Sequence, residues 1–238
     1  MAEEKQKKIL GMVMAAVLLV SMYFLAGESA AYVNSGRVEE GKELKERFCV
    51  VIDAGHGGAD PGKVGINGAL EKDINLQIAI RLKSLLQAQD IKVVMTREDE
   101  GGLYDEDASN KKVQDMKRRI AIIEEAQPDV VISIHQNSYH EEYVHGAQVF
   151  YYNTSATGKK LAELIQKCFV RTVDSENKRE PKGNDSYYLL KKTSRPIVIV
   201  ECGFLSNQEE AEKLKSKEYQ EKTAWAIHMG VLQYLNAK

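Results

Sequence analysis

The sequence predicts an α/β fold, a single domain in which a mainly parallel β-sheet is sandwiched between helix layers. Short β-branched or aromatic runs alternate with longer segments whose apolar residues recur every three or four positions. This alternation is typical of strands joined by crossover helices. The first, third and last runs are almost continuously apolar, which indicates strands covered on both faces.

The first 31 residues differ from the rest and are predicted to be a signal peptide or a membrane anchor. Three lysines precede an almost unbroken apolar stretch at 9–26. A basic flank before such a stretch is typical of export or anchoring, and a buried helix of the fold is the less favoured alternative. Residues 32–47 carry mixed charges and are interpreted as a linker. The working domain is predicted to span 48–238, outside the cytoplasm.

Five strands and four helices are predicted in alternation from residue 48 onward. The strands are FCVVID at 48–53, IKVVMT at 91–96, DVVISIH at 129–135, GAQVFYY at 146–152 and PIVIVE at 196–201. The helices carry their apolar faces within 74–86, 113–123, 161–169 and 219–235. With 238 residues and 43% hydrophobic content, the chain is long enough for one domain with a sizeable core.

The charge balance and the cysteines make two classes of protein less favoured: nucleic-acid-binding proteins and disulfide-linked proteins. Thirty-three basic and 35 acidic residues leave a net charge of −2, so no basic field indicates a nucleic-acid partner. The three cysteines, Cys49, Cys168 and Cys202, form no CxxC pair and lie in apolar or strand-like surroundings. They are interpreted as buried thiols rather than as a disulfide.

The stretch VVIDAGHGGADPGK, residues 50–63, can be interpreted in two ways. Gly57 and the pair Gly62-Lys63 match most of a phosphate-binding loop. That loop needs a hydroxyl residue directly after the lysine and a helix that begins there, but Val64 occupies this position and two glycines follow. The phosphate-binding interpretation is therefore disfavoured, and His56 is left as either a loop histidine or a metal ligand.

Four residues of metal-binding or catalytic type are predicted to meet at one edge of the sheet. His135 and Glu201 each end an apolar strand, His56 follows a third strand, and Glu71 stands where a loop enters the first helix. Ligands bind at the carboxyl ends of strands in open α/β sheets. Two histidines and a carboxylate are a common catalytic zinc set, and a second carboxylate could act as the base for amide hydrolysis. Spacing alone does not decide which glutamate has which role.

A cysteine nucleophile is the competing mechanism at this edge. Cys202 follows Glu201 directly, so its side chain should face the other side of the strand, which disfavours it.

The blocks VVIDAGHGGADPG, ALEK, VVISIHQNS and IVIVECGFLSN resemble the four signature blocks of the zinc-dependent N-acetylmuramoyl-L-alanine amidases of the AmiC/CwlV-like type. The resemblance covers nearly all of 48–235. It implies that His56, Glu71 and His135 bind Zn²⁺ and that Glu201 is the catalytic glutamate. It also implies hydrolysis of the amide between the lactyl group of N-acetylmuramic acid and the L-alanine of a stem peptide.

Within that family, the segment at 116–139 is most similar to the sporulation and germination amidases, which remove stem peptides from spore-cortex glycan as a step towards muramic-δ-lactam. The resemblance implies that the partners are peptidoglycan glycan strands with stem peptides and an accessory or regulatory protein. No nucleic acid is expected, and the membrane is contacted only through the N-terminal segment. The expected location is extracytoplasmic, in the forespore intermembrane space for a cortex enzyme.

Three alternative functions stay open. The protein could be a vegetative cell-wall amidase, an exported zinc hydrolase of another amide, or a non-catalytic wall-binding protein. The sequence also departs from the family twice. Gln136 stands where alanine is frequent, and only ten residues separate His135 from Gly146, where regulated members carry a long inhibitory insertion. Control by a partner, by zinc occupancy or by expression is left open.

Several polar residues near these blocks have two interpretations each. Asp53 either orients His56 or caps a turn. Arg97 and Arg119 either bind a carboxylate of the stem peptide or lie on solvated faces. Three further histidines are interpreted as surface or hydrogen-bonded side chains: His140, His145 and His228.

Overall fold

A six-stranded, mostly parallel sheet with helices packed against it confirms the predicted fold class. The computed structural model describes residues 48–237 and, before them, only Gly11, Met14 and Val20. The predicted leader or anchor and the linker therefore lie almost entirely outside the described residues. Within the part of the chain that is described, no helix is long and apolar enough to span a membrane.

The strands lie in the order β2-β1-β3-β6-β4-β5. They are β1 (Cys49–Ala54), β2 (Lys92–Met95), β3 (Val130–Asn137), β4 (Gln148–Tyr152), β5 (Lys182–Asn184) and β6 (Ile197–Phe204). Every neighbouring pair is parallel except β4 and β6, which are antiparallel. The three most apolar strands, β1, β3 and β6, lie side by side in the middle of the sheet, where both of their faces are covered.

The helices are α1 (Glu71–Gln87), α2 (Lys111–Ala126), α3 (Ala156–Thr172), α4 (Tyr188–Lys192), α5 (Gln208–Lys215) and α6 (Lys217–Asn236). The larger apolar cluster lies between the sheet and α1, α3 and α6. A smaller cluster joins the opposite face to α2 and α4. The amphipathic patterns of the four long helices indicated most of the residues that pack on the sheet, but Val113 at the start of α2 is exposed.

Strand register brings the candidate site residues to one edge. Ala54 at the end of β1 pairs with Ile134 of β3, and His135 pairs with Glu201 of β6. Because the three central strands are parallel, their carboxyl ends meet at this edge, and α1 begins beside it at Glu71.

Candidate metal centre and active site

His56, Glu71 and His135 come together at the carboxyl edge of the sheet. Nδ1 of His135 lies 3.0 Å from Oε1 of Glu71, and Nε2 of His56 lies 3.2 Å from Oε2 of the same carboxylate. One potential ligand atom from each residue lies within 4.8 Å of the other two. Two imidazole nitrogens and a carboxylate oxygen at this spacing could hold a metal ion.

Glu71 is fixed by donors from several elements. Its Oε2 accepts the backbone N–H of Lys63 at 2.7 Å, and its Oε1 accepts that of Gln136 at 3.1 Å. Burial would raise the pKa of Glu71, but hydrogen bonds from His135 and His56 hold that pKa well below its usual range. The carboxylate is therefore ionised, as metal ligation requires.

His56 lies in the loop after β1 and has a left-handed backbone conformation, with φ of 62°. This conformation is unfavourable for a residue other than glycine, so surrounding contacts must hold it. Nδ1 of His56 lies 2.9 Å from Oδ2 of Asp60, and Arg119 donates to the backbone carbonyl of His56. Since Nδ1 is held by Asp60, Nε2 is directed towards Glu71. Burial would lower the pKa of His56, but the hydrogen bond with Glu71 raises it.

Gly62 is one glycine of this loop that the structure requires. Its φ is 67°, and a Cβ there would lie 2.5 Å from Oε2 of Glu71. A side chain at this position would collide with the candidate ligand, so glycine is required by both conformation and space.

Asp60 is the acidic partner of His56, and the interpretations of Asp53 are wrong. The buried carboxylate of Asp53 accepts from Thr96 at 2.8 Å, from Ser133 at 2.6 Å and from Arg119 at 2.7 Å. It neither orients His56 nor caps a turn. The signal for Asp60 was available in the sequence, since an aspartate four residues after a candidate ligand can reach back to its ring.

The interpretation of Arg97 and Arg119 as solvated side chains is also wrong. Both are buried, at 4% and 1% exposure. Arg97 donates to the carbonyls of Ala54 and Gly55, and Arg119 donates to Asp53, Asp115 and the carbonyl of Ala54. Their donors are used to hold the loop that carries His56.

Gln136 supports the site from behind. Its Nε2 donates to Asn75 Oδ1 at 3.0 Å, and Asn75 in turn donates to the carbonyl of Gly55 at 3.1 Å. The buried amide therefore links β3, α1 and the loop after β1. A small residue at this position could not form that link.

Glu201 lies beside His135 but in a different environment. The phenol of Tyr187 donates to its Oε1 at 3.2 Å, whereas its Oε2 is buried without a hydrogen-bond partner among the described residues. Burial raises the pKa of Glu201 to about 7, and the nearby His135 opposes this rise only in part. A carboxylate with a pKa near neutrality and one unused oxygen is suited to general acid–base catalysis. The sequence patterns did not identify Tyr187.

Cys202 points away from this edge. It is fully buried in the larger apolar cluster, and burial raises the pKa of its thiol. Cys168 and Cys202 are buried thiols, as expected, whereas Cys49 is only partly buried. An unionised, buried thiol is unsuited to nucleophilic attack, which weighs against the cysteine mechanism.

The remaining histidines divide into two kinds. His140 and His145 are exposed, as expected. His228 is 2% exposed, and its Nδ1 has no hydrogen-bond partner in the described part of the chain, so the expectation is wrong for this residue. It lies on α6 with its ring 5.4 Å from that of Trp225.

The fold and the candidate site at the carboxyl edge of the sheet agree with one protein family. The model of the N-acetylmuramoyl-L-alanine amidase family, Amidase_3, matches residues 50–233, and the chain belongs to that family. The predicted family and enzyme class are thereby confirmed: the protein is a peptidoglycan N-acetylmuramoyl-L-alanine amidase.

Three individual members of the family show which amidases this chain resembles. The germination-specific N-acetylmuramoyl-L-alanine amidase of Bacillus subtilis (strain 168) is 37% identical over 192 residues, covering 79% of this chain and 80% of the relative. The CwlD amidase of Clostridioides difficile, solved in complex with the GerS lipoprotein, is 40% identical with a TM-score of 0.78, over 80% of this chain and 100% of that chain. The catalytic domain of CwlV from Bacillus (Paenibacillus) polymyxa var. colistinus is 30% identical with a TM-score of 0.70, over 80% and 99%.

Proposed function

We propose that the protein is a zinc-dependent amidase of spore-cortex peptidoglycan, with His56, Glu71 and His135 as metal ligands and Glu201 as the catalytic glutamate. One observation carries the proposal. Three donor atoms lie within 4.8 Å of one another, and beside them stands a carboxylate with a buried oxygen that no described residue engages. Leaving such an oxygen without a partner is unfavourable unless water or substrate satisfies it during function.

The donor set fits zinc. Two neutral imidazoles and one carboxylate leave a tetrahedral ion with one open position, which is typical of catalytic zinc sites. When bound, zinc would supply Lewis acidity, which polarises the substrate carbonyl and makes water easier to deprotonate. Asp60 favours the tautomer of His56 that carries its proton on Nδ1, so that Nε2 offers a lone pair.

The protein's own residues would perform the proton transfers. Glu201 Oε2 takes a proton from the attacking water and later gives it to the nitrogen of L-alanine, so that the C–N bond breaks and an amine leaves. Tyr187 holds Oε1, which keeps the other oxygen turned to the reaction. The products are a lactyl carboxylate on the glycan and a free stem peptide.

Two relatives support a role in the spore cortex. One is named a germination-specific amidase, and another was solved with the GerS lipoprotein. By this proposal, the protein strips stem peptides as a step towards muramic-δ-lactam, and an accessory protein assists it. Residues 1–31 would carry it to or through the membrane, 32–47 would act as a linker, and 48–238 would be the catalytic domain in the forespore intermembrane space.

Metal dependence and substrate can be tested on one preparation. The purified protein should contain close to one zinc per chain, and His135→Ala should lose both zinc and activity. Purified cortex and vegetative peptidoglycan are digested with and without chelator, and released stem peptides are measured by mass spectrometry. Full activity after prolonged dialysis against a strong chelator would contradict the zinc proposal. A clear preference for vegetative material would contradict the cortex role and leave the amidase activity intact.

A further inference from the structure

A cavity of about 390 Å³ adjoins the candidate metal centre on the side of the sheet covered by α2 and α4. His56 and His135 form part of its lining. A group held at these histidines can therefore continue into the cavity. Its volume lies within the range of about 300–1,000 Å³ that is typical of small-molecule sites.

The walls of the cavity are largely apolar. Pro61, Met116, Leu189 and Ile199 lie along it. These side chains offer no hydrogen bonds to the hydroxyl groups of a sugar, but they suit a small apolar group. The amide that this family hydrolyses carries L-alanine, whose methyl group is of this kind. The lining therefore favours the peptide side of the substrate over the glycan side.

Two lysines of α2 contribute positive charge to a lining that also contains three aspartates. Nζ of Lys111 forms an ion pair with Oε2 of Glu106 at 2.8 Å and lies 5.1 Å from the centre of the Tyr104 ring. Lys112 is exposed and makes no hydrogen bond or ion pair with a described residue. Asp115, a carboxylate of the lining, already accepts from Arg119. Lys112 interacts electrostatically with Asp60 of the lining, but its ammonium is not hydrogen-bonded to a described residue and is therefore available to an incoming anion.

We propose that this cavity binds the peptide part of the substrate, with the Lys112 ammonium pairing with the α-carboxylate of the residue after L-alanine. The ligand class is an acidic peptide with an apolar first residue. The glycan, a polymer too large for the cavity, lies outside along the sheet edge. This inference rests on the proposed amidase function and adds a determinant of substrate specificity to it.

Two substrates that differ in one group test the proposal. They are N-acetylmuramoyl-L-alanyl-D-glutamine, whose one peptide carboxylate is the α-carboxylate, and the same compound with that carboxylate converted to a carboxamide. For the zinc-loaded protein we expect kcat/KM to be about 3- to 10-fold higher for the carboxylate, mainly through KM, because an ion pair at a partly exposed rim is modest. Lys112→Ala should bring the two values together, and Lys112→Glu should reverse their order. Lys117→Ala, on the same helix but outside the cavity lining, should keep the wild-type preference.

Binding of the dipeptides L-alanyl-D-glutamine and its α-amide, followed by NMR titration, separates this proposal from the catalytic one. A carboxylate preference that Lys112→Ala removes and Lys117→Ala keeps would support the subsite even if neither muramoyl compound were hydrolysed, an outcome that would count against the amidase proposal alone. Equal binding and equal kcat/KM for carboxylate and carboxamide in the wild-type protein would overturn the subsite and leave the hydrolytic function standing.

Discussion

At the scale of single residues, two neighbouring buried glutamates are pushed in opposite directions by their surroundings. Glu71 accepts hydrogen bonds from imidazoles and backbone N–H groups, and its pKa lies well below the usual range. Glu201 has one oxygen without a described partner, and burial raises its pKa to about 7. Divergent pKa values of this kind separate a permanently ionised ligand from a group that can take and return a proton.

Replacing Glu201 should therefore separate chemistry from metal binding. Glu201→Gln keeps the shape of the side chain but cannot accept a proton, so we expect the variant to retain its zinc and lose about 10²- to 10⁴-fold in kcat. Zinc content by atomic absorption and stem-peptide release by chromatography are measured on the same preparation. If the variant loses its zinc as completely as His56→Ala does, Glu201 is a ligand and the two glutamates have exchanged roles.

Asp60 should affect metal binding without itself binding metal. Asp60→Ala removes the group that holds Nδ1 of His56, so we expect zinc affinity to fall about 10- to 100-fold. Asp60→Asn should lose less, because an amide oxygen can still accept the Nδ1–H. Competition with a chromogenic chelator measures both affinities. Asp73→Asn, an exposed carboxylate on α1, serves as the control. Unchanged affinity in Asp60→Ala would show that the ring is oriented by other contacts.

The four candidate residues could be named from the sequence and Asp60 carried a local signal, but the other supporting partners could not be predicted. The prediction that His135 and Glu201 end their strands was wrong in detail, because β3 continues to Asn137 and β6 to Phe204. Both residues still lie in the carboxyl halves of parallel strands, which is the side of such a sheet where ligands bind. Tyr187 is 14 positions from Glu201 in the chain, next to a helix of only five residues, so neither periodicity nor spacing connects the two. The buried position of Arg119 was missed for a similar reason, since Asp115 is its only acceptor on the same helix among those described, whereas Asp53 and the carbonyls of Ala54 and His56 belong to other parts of the chain.

At the scale of secondary-structure elements, the long, regular segments were predicted and the short ones were missed. β5 has three residues and α4 has five, too few to show a period of two or 3.6. The eight-residue α5 follows β6 almost at once and has few apolar residues, although Asn207 caps it by accepting from the N–H of Glu210. Short elements of this kind are stabilised by tertiary contacts rather than by their own sequence.

The ion pair between Asp53 of β1 and Arg119 of α2 should dominate acid stability at the junction of these elements. Burial alone would raise the pKa of Asp53, but Arg119 and Ser133 lower it to about 2. A pKa lowered in the folded state adds stability that is fully present above the unfolded value of about 4 and is lost as the pH falls towards 2. The wild-type free energy of unfolding should therefore fall by about 2 kcal/mol over this interval through Asp53 alone.

Asp53→Asn tests this ion pair. Because the buried guanidinium would lose its charged partner, we expect the free energy of unfolding at pH 7 to fall by about 3 kcal/mol and to depend less steeply on pH between 4 and 2. Urea denaturation at a series of pH values gives both quantities. Asp105→Asn, which breaks the exposed pair with Arg118 on the same helix, should leave stability essentially unchanged. An equal pH slope in wild type and Asp53→Asn would refute the assignment.

At the scale of the whole molecule, the two faces of the sheet are covered unequally. The larger apolar cluster fills the face under α1, α3 and α6, while the smaller cluster under α2 and α4 leaves room for the cavity beside His56 and His135. Alternating strand and helix patterns were enough to predict the layered fold. They could not predict the cavity, because it depends on how α2 and the segment around α4 meet above the sheet.

The size of the cavity leads to a prediction about substrate length. Because about 390 Å³ is too small for a glycan strand, we expect neighbouring sugars to contact the protein outside the cavity. If those contacts contribute to transition-state binding, kcat/KM per cleavable amide should be at least about tenfold higher for a glycan strand with stem peptides than for a single muropeptide. Stem-peptide release is measured by chromatography on size-fractionated glycan strands prepared from the same peptidoglycan, with the amide concentration held constant. Equal rates at all lengths would show that recognition ends at one muramoyl residue and its peptide, in which case the sheet edge outside the cavity does not bind the polymer.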